Sequence, residues 1–248
     1  MFDNGVTRYP PGLNNARENG MFSDMYVPER IQRVHEYAND FDQFVVGDWT
    51  QQLNGGAIAL AAGDGGLITL TSAASAITSQ QKNPGAWTLA AGLRTWYMMR
   101  AAVDNVLGLL FLGLANNTAT PFTAGNITDG VYMLTDNAGN VSVVVAVGGV
   151  KTTVATGVKV VGGQQFVFSA YWDGACYGAA PNGRVVYELT GTSAPVRGGI
   201  AAPANFPGAT VLTQQMGVSA STAAARVLTV DALYTAKDRS NINATPAF

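Results

Sequence analysis

The residues of this chain that could do chemistry are few, and their spacing points away from turnover. Its 248 residues hold one histidine, His35, and one cysteine, Cys176. Ser/His/Asp catalysis needs a general base, and His35 stands in Gln32-Arg33-Val34-His35-Glu36, a stretch that reads as an exposed or contact segment. Cys/His catalysis and a tetrahedral zinc centre both fail, because one Cys and one His do not supply the groups. Glycoside hydrolysis asks for two carboxylates about 5–10 Å apart. The only glutamate after Glu36 is Glu188, in Val186-Tyr187-Glu188-Leu189, with no acidic residue two or four positions away. Asp231 could approach it only through the fold. Glu188 reads instead as a solvated strand residue or an ion pair with Arg184, worth at most ~1 kcal/mol if exposed. Cys176 reads as a small buried apolar residue, and a lone cysteine excludes an internal disulfide.

Three oxygen-rich loops could suit calcium: Asp64-Gly65, Asn126 to Asp129, and Asp136-Asn137-Ala138-Gly139-Asn140. Turns closed by Asn and Asp side chains explain the same residues without a metal, and no EF-hand spacing exists, so no cofactor is expected. Gly63-Asp64-Gly65-Gly66 lacks the Lys and helix context of a phosphate loop. Net charge is -2 with no basic run, so nucleic acid is not an expected partner. The longest apolar run, Val106 to Ala115, contains Gly108 and Gly113 and is too short to span a bilayer, so no membrane segment is expected. Met1-Phe2-Asp3-Asn4-Gly5 has neither a basic start nor an apolar run, so no secretory signal is read there. Trp49, Trp87, Trp96, Trp172, Tyr171 and Tyr177 could form a sugar platform, although aromatics more often serve cores or interfaces. Tyr171 and Trp172 are adjacent, so on a strand they point to opposite faces.

Charge is the most uneven property of the chain. Charged residues make up 12%, against about 25% in an ordinary soluble domain. Of the 14 Lys plus Arg and 16 Asp plus Glu, 12 lie before Gln51. The rest of the chain is built of Val, Ala, Gly, Thr and Leu. Surfaces poor in charge are expected where protein faces protein, so composition favours assembly over catalysis.

The elements that must position these residues fall into three parts. Residues 1–36 read as an N-terminal arm, broken by Tyr9-Pro10-Pro11-Gly12 and Asn14-Asn15. Within it, Val27 to Tyr37 could form a short helix, with Pro28 in the first turn and Ile31 and Val34 on one face. Such an arm orders only on another surface. Residues 37–240 read as β structure, and residues 241–248 as a loose tail. Predicted strands are Leu67 to Thr71, Leu93 to Val103, Val106 to Ala115, Gly130 to Thr135, Val141 to Val147, Val150 to Thr156, Val158 to Val161, Gln165 to Trp172, Arg184 to Thr190 and Arg226 to Tyr234. Leu93, Thr95, Tyr97 and Met99 should share one face, and Arg94, Trp96, Met98 and Arg100 the other. Val106 to Ala115, apolar on both faces, should be a central strand. Gly148-Gly149 is the clearest hairpin turn. Ser219 to Ala225 is an Ala-rich stretch that could turn. Strands at this spacing, with no long helical period, indicate an all-β sandwich or jelly roll.

The order of these signals from Tyr37 onward resembles the concanavalin A-like jelly-roll sandwich of the lectin and laminin-G type. Asp40-Phe41 and Trp49 match its opening. Leu93 to Arg100 matches its Arg-bearing strand, and Leu107-Gly108-Leu109-Leu110-Phe111-Leu112-Gly113-Leu114 its apolar strand. Trp172-Asp173-Gly174, Val185-Val186-Tyr187 and the Asp231 strand follow in order, so the resemblance covers roughly residues 37 to 238. Retaining glycosidases of that family carry Glu-x-Asp-x-x-Glu on one strand, and its legume-type lectins bind calcium through paired Asp and Asn; this chain lacks both patterns. With its arm and low charge, the whole chain is similar to structural proteins of tailed-phage virions, most of all head decoration (cement) proteins. That resemblance implies no enzyme activity, binding to a major capsid protein and to copies of itself, a homo-oligomer with a trimer favoured, and a place on the capsid surface after assembly in the host cytoplasm. It implies partner contacts through Tyr9, Phe22, Tyr26, Arg30, Arg33 and His35 of the arm. The alternative is a carbohydrate-binding module or a tail-associated receptor-contacting protein.

Overall fold

Strict alternation of side chains builds two sheets, and their inward rows make one core. In a computed structural model the described residues are 34–238, apart from 62–65, 83–84, 86, 91, 107, 119, 124, 173, 175–183, 204–205 and 221–223. Tyr9, Phe22, Tyr26, Arg30, Arg33, Cys176 and Tyr177 therefore lie outside the described residues, as do Asp64-Gly65 and the tail 241–248. Among the described residues the only helical element is a single 3-10 turn, Val46–Asp48, and no helix is long and apolar enough to cross a membrane.

The strands in chain order are β1 (Val34–Asn39), β2 (Trp49–Gln52), β3 (Ala57–Ala61), β4 (Leu67–Ser72), β5 (Ile77–Lys82), β6 (Thr95–Val103), β7 (Gly108–Asn116), β8 (Gly130–Thr135), β9 (Asn140–Val147), β10 (Val150–Lys159), β11 (Gln165–Trp172), β12 (Arg184–Thr190), β13 (Val196–Ala201), β14 (Leu212–Ala220) and β15 (Arg226–Asp238). The first sheet has eight strands in the order β13-β12-β11-β6-β15-β4-β3, with β1 also on β15. The second has seven, in the order β10-β9-β8-β7-β14-β5-β2. Every pairing is antiparallel, and many neighbours are distant in sequence, so the sheets form only when the whole chain comes together.

β15 is the spine of the first sheet. One edge pairs β6 along nearly its whole length, with an irregularity between Val230 and Ala232. Its other edge pairs β4 through Arg226–Val230 and β1 through Leu233–Asp238. That second pairing decides the fate of Val34 to Tyr37. The expected helix over Val27 to Tyr37 does not extend here, because Val34–Asn39 is a strand in register with Asp238–Leu233. A full ladder with a long neighbour outweighs a weak one-turn helical signal. Val150 to Thr156 and the first half of Val158 to Val161, expected as separate strands, join as β10, which ends at Lys159 and carries a register irregularity between Ala155 and Lys159, where Gly157 takes a φ of +76°. The Gly148-Gly149 hairpin is present, both glycines in the left-handed region at +56° and +83°.

The core lies between the sheets. Tyr97, Met99, Ala101 and Val103 of β6 face Leu110, Leu112 and Leu114 of β7, with Phe166, Phe168 and Trp172 of β11 filling the same layer. Each fully buried large side chain contributes about 1.5–3 kcal/mol relative to exposure. Alternation on β6 runs as the sequence predicts: Trp96, Met98 and Arg100 point to the outside of the sheet.

Candidate functional site

Among the described residues the space between the sheets is packed with side chains, which leaves the outer faces, the edges and the loops as accessible surface. The outer face of the seven-stranded sheet is closed by the chain itself. Residues 117–129 link β7 to β8 and cross this face. Phe111, Ala115, Ile127, Tyr132, Val144 and Ala146 form a second apolar cluster there, all 3% exposed or less, with Phe122 and Leu134 against it. Phe111 stacks on Tyr132 at 4.9 Å and meets Phe122 edge-on at 6.3 Å. Gly217 leaves room for this, since a Cβ there would stand 3.0 Å from the Phe122 ring. This cluster explains why Val106 to Ala115 is apolar on both faces: one row of β7 serves the main core and the other the second cluster.

Amides hold the crossing loop. The Asn116 side-chain oxygen accepts the N–H groups of Thr128 (2.8 Å) and Asp129 (3.1 Å), while its amide donates to the Asn126 carbonyl (3.0 Å). Gln81 accepts from the Thr118 N–H at 2.9 Å and donates to Asn117, and Gln215 donates to Gln81 (3.1 Å) and to the Asn116 carbonyl (2.7 Å). Burial pushes the Tyr132 phenol up to about 12.

The outer face of the eight-stranded sheet carries aromatics framed by ion pairs. Trp96 (3% exposed), Tyr234 (5%) and Ala236 cluster with Met98 and Tyr171, and Trp96 lies 5.5 Å from Tyr171. The Arg94 guanidinium sits 5.2 Å over the Trp96 ring and pairs with Asp238 at 2.8 Å. Arg100 pairs with Asp231 at 2.8 Å and donates to Gln165 at 2.6 Å. The Tyr234 hydroxyl donates to Glu36 at 3.3 Å. Edge strand β1 thus brings Glu36 onto this face. His35 points to the opposite side, where its ring lies 4.8 Å from Trp87 in the core.

This geometry answers the sequence candidates. Glu188 and Asp231 are not brought together: β12 and β15 are separated by β11 and β6, three strand spacings or roughly 14 Å, beyond the reach of a hydrolytic pair. Glu188 stands opposite Arg197 of β13 in register; the side chain of Arg184, the partner expected from sequence, lies outside the description. Asp136 uses its carboxylate within its own turn, accepting the N–H groups of Ala138 and Asn140 (both 2.9 Å) and the Asn140 amide (2.6 Å). These bonds, the Asn140 amide first, lower its pKa. Asp129 accepts from Thr128 (2.8 Å) and Gly148 (3.1 Å). The loop oxygens thus serve turn geometry, and among the described residues no three His, Cys, Asp or Glu side chains converge. Trp172 is in the core and Tyr171 half-buried on the outer face, as their adjacency required. All four tryptophans are 5% exposed or less, so none is a sugar platform. The amide network through Gln81 and Gln215 had no sequence signal beyond paired glutamines.

No protein-family model and no curated protein matches the chain. Solved structures do. Peanut lectin with a nine-residue peptide aligns over 82% of this chain and 97% of its own, at 10% identity and a TM-score of 0.58. The lectin UEA-II complexed with galactose aligns over 83% and 99%, at 14% identity and a TM-score of 0.55. An endo-1,3-beta-glucanase from Streptomyces sioyaensis aligns over 82% and 96%, at 10% identity and a TM-score of 0.57. At these identities the likeness is one of fold: the chain has the jelly-roll sandwich of the concanavalin A-like lectins.

Proposed function

We propose that this protein is a non-catalytic assembly module, a lectin-like sandwich that binds copies of itself and a larger shell. The observation that carries this reading is the furnishing of its surfaces. One outer face is sealed by the chain's own loop, the tryptophans are withdrawn, and the acidic side chains Asp231 and Asp238 are committed to arginines. Leu53, Leu60, Val150 and Val211 stand exposed, apolar surface that gains by being covered. The finer form of the proposal is a decoration protein on a virion head, contacting the major capsid protein through residues 1–36 and through the sandwich, with repetition over the shell multiplying weak contacts. Removing residues 1–33, which leaves β1 whole, should then abolish attachment to capsid shells; unchanged attachment would rule the arm out as the anchor.

A second reading, carbohydrate binding, is favoured by the fold, since lectins dominate the structural neighbours named above. Its contacts would have to come from half-buried Tyr171 and the polar rim rather than from tryptophan. A glycan screen separates the two readings. Capture of a saccharide, weakened by Tyr171→Ala, supports the second; a self-associating chain without saccharide affinity supports the first.

A further inference from the structure

The methionines among the described residues meet two kinds of surroundings. Met99, Met133 and Met216 are 0% exposed and belong to the main core. Two of these sulfurs also accept hydrogen bonds, Met99 from the Tyr97 hydroxyl at 3.7 Å and Met216 from the Gln80 amide at 3.1 Å. Met98 is next to Met99 in sequence but on the other side of the sheet, because side chains alternate along β6. It is half-buried on the outer face. Its register partners are Ser169 of β11 and Tyr234 of β15. It packs, with Tyr171, against the cluster of Trp96, Tyr234 and Ala236. Arg94 closes the group, its guanidinium 5.2 Å over the Trp96 ring.

We infer that Met98 is a site of reversible oxidation, at which a peroxide converts the thioether to the sulfoxide and loosens the aromatic group on this face. The thioether is a two-electron reductant. A sulfur lone pair attacks one oxygen of hydrogen peroxide, an S–O bond forms and the O–O bond breaks. The proton on the new S–OH passes to the departing hydroxide, so the products are the sulfoxide and water. The reagent must touch the sulfur. A half-buried side chain on a solvent-facing sheet allows that contact, whereas a core side chain allows it only through opening. The product is polar where the side chain had been apolar. Thioether sulfur packs favourably against aromatic rings, so Met98 supports the grouping of Trp96, Tyr171 and Tyr234, and its sulfoxide, which favours water, does not. Sulfoxide reductases return the thioether, so the change runs both ways. This inference goes beyond both readings of the function and rests on neither.

Dilute hydrogen peroxide on the folded full chain, followed by peptide mass spectrometry with fragmentation to part Met98 from Met99, tests the site. Met98 should gain one oxygen on the order of ten-fold faster than Met99, Met133 or Met216, whose sulfurs react only through opening. Met1, Met21 and Met25 lie outside the described residues and are scored separately. Met98→Leu conserves volume and should fold and melt as the unmodified chain does. After peroxide the unmodified chain should melt lower and recover on treatment with a methionine sulfoxide reductase, while Met98→Leu should hold its melt throughout. Oxidation of Met98 no faster than that of Met133 overturns the site. Oxidation of Met98 without a lower melt, or a melt that falls as far in Met98→Leu, overturns its coupling to the aromatic face. A lowered melt that the reductase does not restore overturns the reversibility.

Discussion

The two outer faces of the sandwich are finished in different ways. The seven-stranded sheet is covered by its own connection, residues 117–129, over a second apolar cluster. The eight-stranded sheet has a smaller aromatic group, Trp96, Tyr171 and Tyr234, held among arginine–carboxylate pairs. The first face is part of the folded core in all but position. The second depends on side chains that still touch water, with Arg94 and Arg100 each about half exposed. The covered face should therefore be costly to disturb and the charged face inexpensive.

Phe111→Ala should break that contrast most severely. It removes a fully buried ring from between Tyr132 and Phe122, and should cost about 3–5 kcal/mol in denaturant unfolding. A loss no larger than that of a surface change would mean the loop does not seal the face. Asn116→Ala comes next, leaving the Thr128 and Asp129 N–H groups without their acceptor. It should cost about 1–3 kcal/mol and raise hydrogen exchange along residues 117–129 more than elsewhere. On the other face, Arg100→Ala removes a part-exposed ion pair and should cost no more than ~1 kcal/mol; a larger loss would put this face, too, in the structural core.

Two titrations sharpen the comparison further. The Tyr132 phenol is raised to about 12 by burial. A raised phenol pKa means that the folded state favours the neutral form. Stability from this group is therefore complete below 10.0 and is lost as pH climbs from there towards about 12. Phenolate absorbance should show Tyr132 ionising late, and Phe122→Ala should bring it earlier. Asp136 runs the opposite way. Its pKa is lowered, so its small contribution is present above the ordinary carboxylate range and lost in acid as pH falls through the depressed value. Asn140→Ala should move its NMR-observed titration back up.

Much of the first sheet and the β7–β9 region was legible because those strands are rich in Val and aromatics. β7 to β9, β11 and β12 follow from that pattern within a residue or two. β5, with Gln80-Gln81, and β14, with Gln214-Gln215-Met216-Gly217, gave no such signal, yet they are interior strands of the second sheet. Their glutamines are buried because amides bond across strands and to the loop above, a tertiary arrangement that no local period encodes. β3 was hidden by its alanines. β1 was hidden by a helical spacing that only its partner, 200 residues away in sequence, overrides. The candidate face was half legible: the split of Trp96 and Arg100 from Tyr97 and Met99 was readable, but the ion pairs to Asp231 and Asp238 were not, since they depend on which strand lies beside β6.

Sedimentation velocity of the full chain over a rising concentration series decides between association and an isolated monomer. A self-associated species should grow with concentration. A single monomeric boundary at every concentration would contradict it.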